Sequence, residues 1–100
     1  MSVRRRTQLL RLARQYDALV VTDDVYDFLQ WHIDPSSTQL QLTTAVAPRL
    51  VDIDRFLDGG PRDEFGNCMS NGSFSKLLGP GCRVGWAEGT EKFVYGVGQT

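Results

Sequence analysis

Lys76 is one of only two lysines in a 100-residue chain that carries nine arginines, and its neighbours are Ser, Phe, Leu and Gly rather than charges. Such surroundings suggest a partly buried amine. Desolvation lowers a lysine pKa, and a neutral amine attacks an aldehyde to form a Schiff base. The same residue also reads as a surface lysine in a glycine-rich loop, and local sequence leaves both readings open. Seven residues on stands Arg83, with Ser73 and Ser75 just ahead of the lysine. An arginine fork and hydroxyls around a tight loop make a phosphate cradle, because the fork binds phosphate oxygens bidentately while the hydroxyls donate from the other side. Asp23 and Tyr26 lie just past the apolar run Ala18 to Thr22, where an α/β sheet places its ligands if that run is a strand. A carboxylate there can hold a heterocycle nitrogen protonated, and a tyrosine hydroxyl three residues on can donate to an oxygen of the same ring. Asp23-Asp24 reads equally well as the cap of a following helical turn.

Other chemistries are excluded by spacing and composition. Gly79, Gly81 and Gly85 form G-x-G-x-x-x-G ahead of a candidate strand, not the dinucleotide fingerprint that follows one, and there is no P-loop motif. Cys68 and Cys82 have neither the number for a disulfide framework nor the His/Cys company of a zinc site, so no metal is expected and free thiols in a reducing compartment are. Eleven basic and twelve acidic residues leave a formal charge of −1, so no nucleic-acid partner is expected. The longest apolar run, Ala18 to Val21, is far shorter than a membrane span, and no membrane association is expected.

The elements that must hold these residues alternate. Leu9, Leu12, Ala13 and Tyr16 recur at helical spacing and predict an amphipathic helix over residues 3–17, with Arg4, Arg5, Arg6, Arg11 and Arg14 mostly off its apolar stripe. The five arginines without an acid also fit a transit peptide in composition. Residues 18–22 read as a buried parallel strand and Arg49-Leu50-Val51-Asp52-Ile53 as a second. Between them, residues 32–48 turn polar and read as an insertion loop. Asp58-Gly59-Gly60-Pro61 reads as a turn, Val84-Gly85-Trp86-Ala87 as a further apolar run, and Thr90-Glu91 as the start of a last helix. This is α/β order with too few strands for a doubly covered sheet, so the elements are expected to be the middle of a larger domain.

Three stretches carry a specific likeness: Asp23-Asp24-Val25-Tyr26-Asp27-Phe28-Leu29, Ser70-Asn71-Gly72-Ser73-Phe74-Ser75-Lys76, and Gly81-Cys82-Arg83-Val84-Gly85-Trp86. Together they resemble the fold type I, pyridoxal-phosphate-dependent aminotransferases of class I/II, nearest the 2-aminoadipate and kynurenine aminotransferase-like branch. The resemblance implies a part of that family's large, cofactor-binding domain over residues 1–100, with a mixed, mostly parallel sheet and flanking helices. It implies pyridoxal 5'-phosphate as cofactor, with Lys76 as the catalytic Schiff-base lysine and proton shuttle. Asp23 matches the acid on the pyridine nitrogen, Tyr26 the tyrosine on the ring's phenolic oxygen, and Ser73, Ser75 and Arg83 the phosphate anchors. The family's upstream glycine turn, ring-stacking aromatic and asparagine, and its downstream carboxylate-binding arginine, have no counterpart in these residues. Arg49 and Arg62 are not expected to substitute.

The resemblance implies an amino-acid and 2-oxo-acid transaminase, usually a homodimer; the free thiols point to the cytoplasm, and the arginine-rich start leaves the mitochondrion open. The alternatives are a catalytically inactive truncated form and a ligand-sensing module built on the same fold.

Overall fold

The structure, a computed structural model, describes residues 1–29 and 47–100. Its elements run α1 (Val3–Gln15), β1 (Val20–Asp23), α2 (Leu50–Asp54), β2 (Cys68–Ser73), β3 (Gly85–Glu88) and α3 (Glu91–Gly98), with single 3-10 turns at Leu57–Gly59 and Pro80–Cys82. Most of the expected insertion loop at 32–48 lies outside the described residues.

Ser2 caps α1 by accepting the Arg5 N–H at 3.4 Å, so the helix begins where the sequence predicts. Its buried side differs from the expected stripe. Leu10, Ala13 and Arg14 are buried, whereas Leu12 and Tyr16 are exposed. The cause is Arg14, which turns inward because Asp54 and two backbone carbonyls receive its two terminal nitrogens, while its buried Nε has no partner among the described residues. Its Nη2 donates to the Asp54 carboxylate at 2.8 Å and to the Asp54 carbonyl at 3.0 Å, and its Nη1 donates to the Leu57 carbonyl at 2.7 Å.

The expected strand at 49–53 is instead the short helix α2. Asp52 accepts the Arg49 N–H at 2.9 Å, half of a capping box that starts a helical turn. Leu50, Val51 and Asp54 then share the buried side. A strand would have put neighbouring Leu50 and Val51 on opposite faces.

Leu10, Leu50, Val51 and Cys68 form the core, flanked by Leu9, Val20, Ile53 and Leu57. Helices α1 and α2 pack together, and α2 packs on β2. The sheet is mixed, in the order β1-β2-β3. β1 and β2 run parallel with Val20 opposite Cys68 and Asp23 opposite Asn71. β2 and β3 run antiparallel with Gly72 opposite Trp86 and Ser73 opposite Gly85. Val20, Thr22, Cys68 and Ser70 therefore face the helices, while Val21, Asp23 and Asn71 lie on the other face and are exposed. Thr90 caps α3 by accepting the Phe93 N–H at 3.3 Å, as the sequence predicts. Among the described residues, no helix is long and apolar enough to cross a membrane.

Candidate functional site

A parallel pair brings the carboxyl ends of β1 and β2 to one edge, and the candidate residues gather there. Asp23 is the last residue of β1, and its Oδ1 accepts the Asn71 amide at 3.2 Å from the neighbouring strand. Asp24 turns the other way. Its Oδ2 accepts the Thr22 hydroxyl and the fully buried Ser70 hydroxyl, each at 2.5 Å. The chain then closes a turn in which the Asp27 N–H reaches the Asp24 carbonyl at 3.0 Å and the Leu29 N–H the Tyr26 carbonyl at 2.8 Å. That turn presents Tyr26.

Beyond β2, Phe74 anchors the loop that carries the lysine. Its carbonyl accepts the Leu77, Leu78 and Gly79 N–H groups at 3.1, 2.9 and 3.2 Å. Its ring meets Trp86 of β3 with centroids 5.0 Å apart and planes tilted by 60°. Trp86 in turn lies across Gly72, where a β-carbon would sit 2.2 Å from the indole. Only glycine permits that approach. Lys76, two residues past the anchor, sends its Nζ over the Tyr26 ring, 5.9 Å from the centroid. This is within reach of a cation–π contact and joins the segments after β1 and β2. Lys76 is exposed rather than partly buried. Among the described residues nothing covers this side of the sheet edge, so the apolar neighbours in sequence do not bury the amine.

Ser73 and Ser75 meet at 2.9 Å between hydroxyls, and the Ser73 oxygen also accepts the Ser75 N–H at 3.1 Å. Ser73 donates to the carbonyl of Val84, the residue that follows Arg83 in the loop before β3, at 3.4 Å. Arg83 adopts the left-handed conformation, φ 51°, at the end of the Pro80–Cys82 turn. Its Nη1 bends back to the Pro80 carbonyl at 3.5 Å. Thus Lys76 and Tyr26 are in contact, as are Ser73 and Ser75, while Asp23 stands at the same sheet edge and Arg83 is folded over its own loop.

Sequence reasoning missed Asn71, the partner of Asp23, because its role depends on strand register. It also missed Arg49. Half-buried at the entrance of α2, Arg49 donates through Nε and Nη2 to Asp52 at 3.1 and 3.0 Å and through Nη1 and Nη2 to Glu88 of β3 at 2.9 and 3.2 Å. Its Nε also lies 3.3 Å from the Asp27 carboxylate. Burial pushes Asp52 upward, but hydrogen bonds and charge from Arg49 outweigh this and hold its carboxyl below the usual aspartate range. Asp27 is pushed above that range by burial and by Asp24, against the pull of Arg49 and Arg6. With its guanidinium occupied by these carboxylates, Arg49 is committed to internal pairing. Arg62 donates to the Arg14 carbonyl at 3.0 Å on the far side of α1.

The donor set fits pyridoxal phosphate by its chemistry. At one sheet edge stand a primary amine, a carboxylate and a phenol, with paired hydroxyls and a guanidinium on the adjoining loop. Among the described residues Lys76 makes no ion pair, which leaves its amine available.

Comparison with known proteins finds the chain's likeness among aminotransferases. A multiple substrate aminotransferase of Thermococcus profundus superposes with a TM-score of 0.66 at 30% identity, covering 95% of this chain and 19% of that one. An aromatic amino acid aminotransferase of Schizosaccharomyces pombe is 32% identical over 102 residues, 94% of this chain and 19% of its own length. Aromatic-amino-acid aminotransferase 1 of Thermococcus litoralis is 34% identical over 94 residues, 94% of this chain and 18% of its own length. An uncharacterized protein of Saccharomyces cerevisiae is 41% identical over 87 residues, 87% of this chain and 18% of its own. No family model matches the chain. Over nearly its whole length the chain is similar to part of these aminotransferases, and it spans about a fifth of the length of these relatives.

Proposed function

We propose that the chain supplies the cofactor-binding core of a pyridoxal-phosphate-dependent transaminase that moves amino groups between amino acids and 2-oxo acids. The observation that carries this reading is the approach of Lys76 Nζ to the Tyr26 ring at 5.9 Å, across fifty residues of sequence, beside Asp23 at the carboxyl end of β1. The names of the relatives support aromatic amino acids as donors. The resemblance adds a homodimer as the working form.

Each residue suits one task. Ser73, Ser75 and Arg83 would bind the phosphate by charge-assisted hydrogen bonds. Asp23 would face a cationic ring nitrogen, and Tyr26 would donate its hydroxyl to the ring's phenolic oxygen. Lys76 would hold the aldehyde and afterwards move the proton at the substrate α-carbon. When bound, pyridoxal phosphate supplies an electron sink for that proton removal.

Pyridoxal phosphate added to the full chain is expected to develop a visible absorption band, and borohydride reduction followed by peptide mapping to leave the label on Lys76. The only other lysine, Lys92, lies on α3 and pairs with Glu64. Label on Lys92 alone would overturn the assignment.

A further inference from the structure

Arg49 is the hub of a charge network that joins elements far apart in sequence. Its guanidinium is held by Asp52 at the start of α2 and by Glu88 at the end of β3, with two donated hydrogen bonds to each carboxylate. Arg55 reinforces Glu88 at 2.6 Å from the other side of α2. Paired forks of this kind fix orientation as well as distance. The third carboxylate on the hub, Asp27 at 3.3 Å, belongs to neither element. It sits in the turn after β1, next to Tyr26.

That turn has a second tether at its start, where Asp24 is bound by the Thr22 and Ser70 hydroxyls. A turn held only there would be free to swing about Asp24. The ion pair at Asp27 closes the other end, and Tyr26 lies between the two tethers. We propose that Arg49 is a positioning residue that fixes Tyr26 beside Lys76 by drawing Asp27 onto the Asp52–Glu88 clamp, a role that rests on the cofactor reading of Tyr26 and Lys76.

The side chains involved are half-buried, with Arg49 and Asp27 each 17% exposed, so the pair is shielded from salt more than a surface ion pair is. Arg49 reaches neither Tyr26 nor Lys76 by any hydrogen bond among the described residues, so it acts through the backbone of the turn.

The test uses the full-length protein with Arg49→Ala, Asp27→Ala and, as reference, Tyr26→Phe. In the cofactor-free state, hydrogen exchange at the Asp27 and Leu29 amides should be about tenfold faster in Arg49→Ala and Asp27→Ala than in the wild type, while β2 amides keep their protection. In the cofactor-loaded state, the pH at which the visible band changes should move in both variants in the same direction as in Tyr26→Phe. Unchanged exchange, or faster exchange with an unmoved band, overturns the positioning role. Global loss of protection in both Arg49→Ala and Asp27→Ala assigns the network to folding and overturns it as well. A wild type that develops no band fails the cofactor reading itself, a result visible before any variant is made.

Discussion

Asp23 and Asp24 are adjacent in sequence and work on opposite faces of the sheet. Asp24 accepts the Thr22 and Ser70 hydroxyls on the helix-covered face, while Asp23 stands on the open face with Asn71. The strand's alternation separates them, so one carboxylate is consumed by the fold and the other is offered to the sheet edge. The cap reading of this acidic pair does not hold for Asp24, whose carboxylate accepts two hydroxyls rather than a backbone N–H of the following turn.

Asp24→Ala is therefore expected to destabilise the protein by about 1.5–3 kcal/mol, the size of a hydrogen bond to a charged group, and more if the Ser70 hydroxyl is left buried without a partner. Asp23→Ala should leave stability close to wild type. Chemical denaturation of both variants checks the contrast, and equal losses would contradict it.

Within a complete enzyme, Asp23→Ala and Arg83→Ala should fail in different ways. Loss of Arg83 removes a phosphate anchor and should weaken cofactor retention about ten- to a hundredfold. Loss of Asp23 should slow turnover while cofactor retention changes less, because a ring nitrogen that is no longer kept cationic makes a poorer electron sink. Cofactor dissociation constants and single-turnover rates separate the two effects.

The motifs were legible because their chemistry is local. Lys76, Ser73, Ser75 and Arg83 lie within eleven residues, and Asp23 to Tyr26 within four. The elements read least well were those settled by distant partners. Arg14 turns inward because Asp54, forty residues on, receives it, and that rotates the whole buried side of α1 away from Leu12 and Tyr16. Leu50 to Asp54 is short, apolar and β-branched, so periodicity alone does not separate strand from helix; the Asp52 cap and burial beside α1 decide it. The exposure of Lys76 was illegible for the same reason, since it depends on what stands opposite the loop rather than on the residues within it.

The Arg14–Asp54 pair is the most deeply buried ion pair among the described residues, with side chains 3% and 4% exposed. Asp54 also accepts the Asn67 N–H at 2.9 Å, which ties α2 to the start of β2. Removing one partner leaves an uncompensated buried charge, so Asp54→Ala is expected to cost about 3–5 kcal/mol. A loss well below that range in urea denaturation would show that water reaches the orphaned guanidinium.

Asp52 gives a pH-dependent contribution of known sign. Its carboxyl is held below the usual value of 3.8, so the stability it adds is fully present above that value and is lost as pH falls through the lowered one. Asp52→Ala should cost about 1 kcal/mol at neutral pH through the lost cap. The wild type and the variant should converge on acidification below pH 3.8. A difference that stays constant with pH would place the effect outside the ionised carboxylate.

The two thiols should separate cleanly. Burial, with help from Asp54 and Asp24, pushes the Cys68 thiol up to about 12, whereas Cys82 is exposed in the loop before Arg83. Thiolate is the reactive form. A disulfide reagent at mildly alkaline pH should therefore modify Cys82 fast and Cys68 only on unfolding. Two fast thiols in the native protein would contradict the burial of Cys68.

The 100-residue chain by itself is expected not to be a competent transaminase. A chain of this size buries somewhat under about 70% of its unfolded surface even as a compact domain. Here Val21 on the open sheet face is 63% exposed, and α3 has no buried residue, with Tyr95 69% exposed. Apolar surface of this kind and unpaired strand edges invite association or loss of fixed packing. The likeness to aminotransferases assigns no ring-stacking aromatic, upstream phosphate turn or carboxylate-binding arginine to any residue of the chain, so a substrate bound at Lys76 would lack orientation. Positioning is worth several kcal/mol of barrier, and without it little turnover should remain. A coupled transamination assay on the isolated chain beside its Lys76→Ala variant measures this. Sustained turnover by the wild-type chain alone, absent in the variant, would mean that self-association or a partner completes the site.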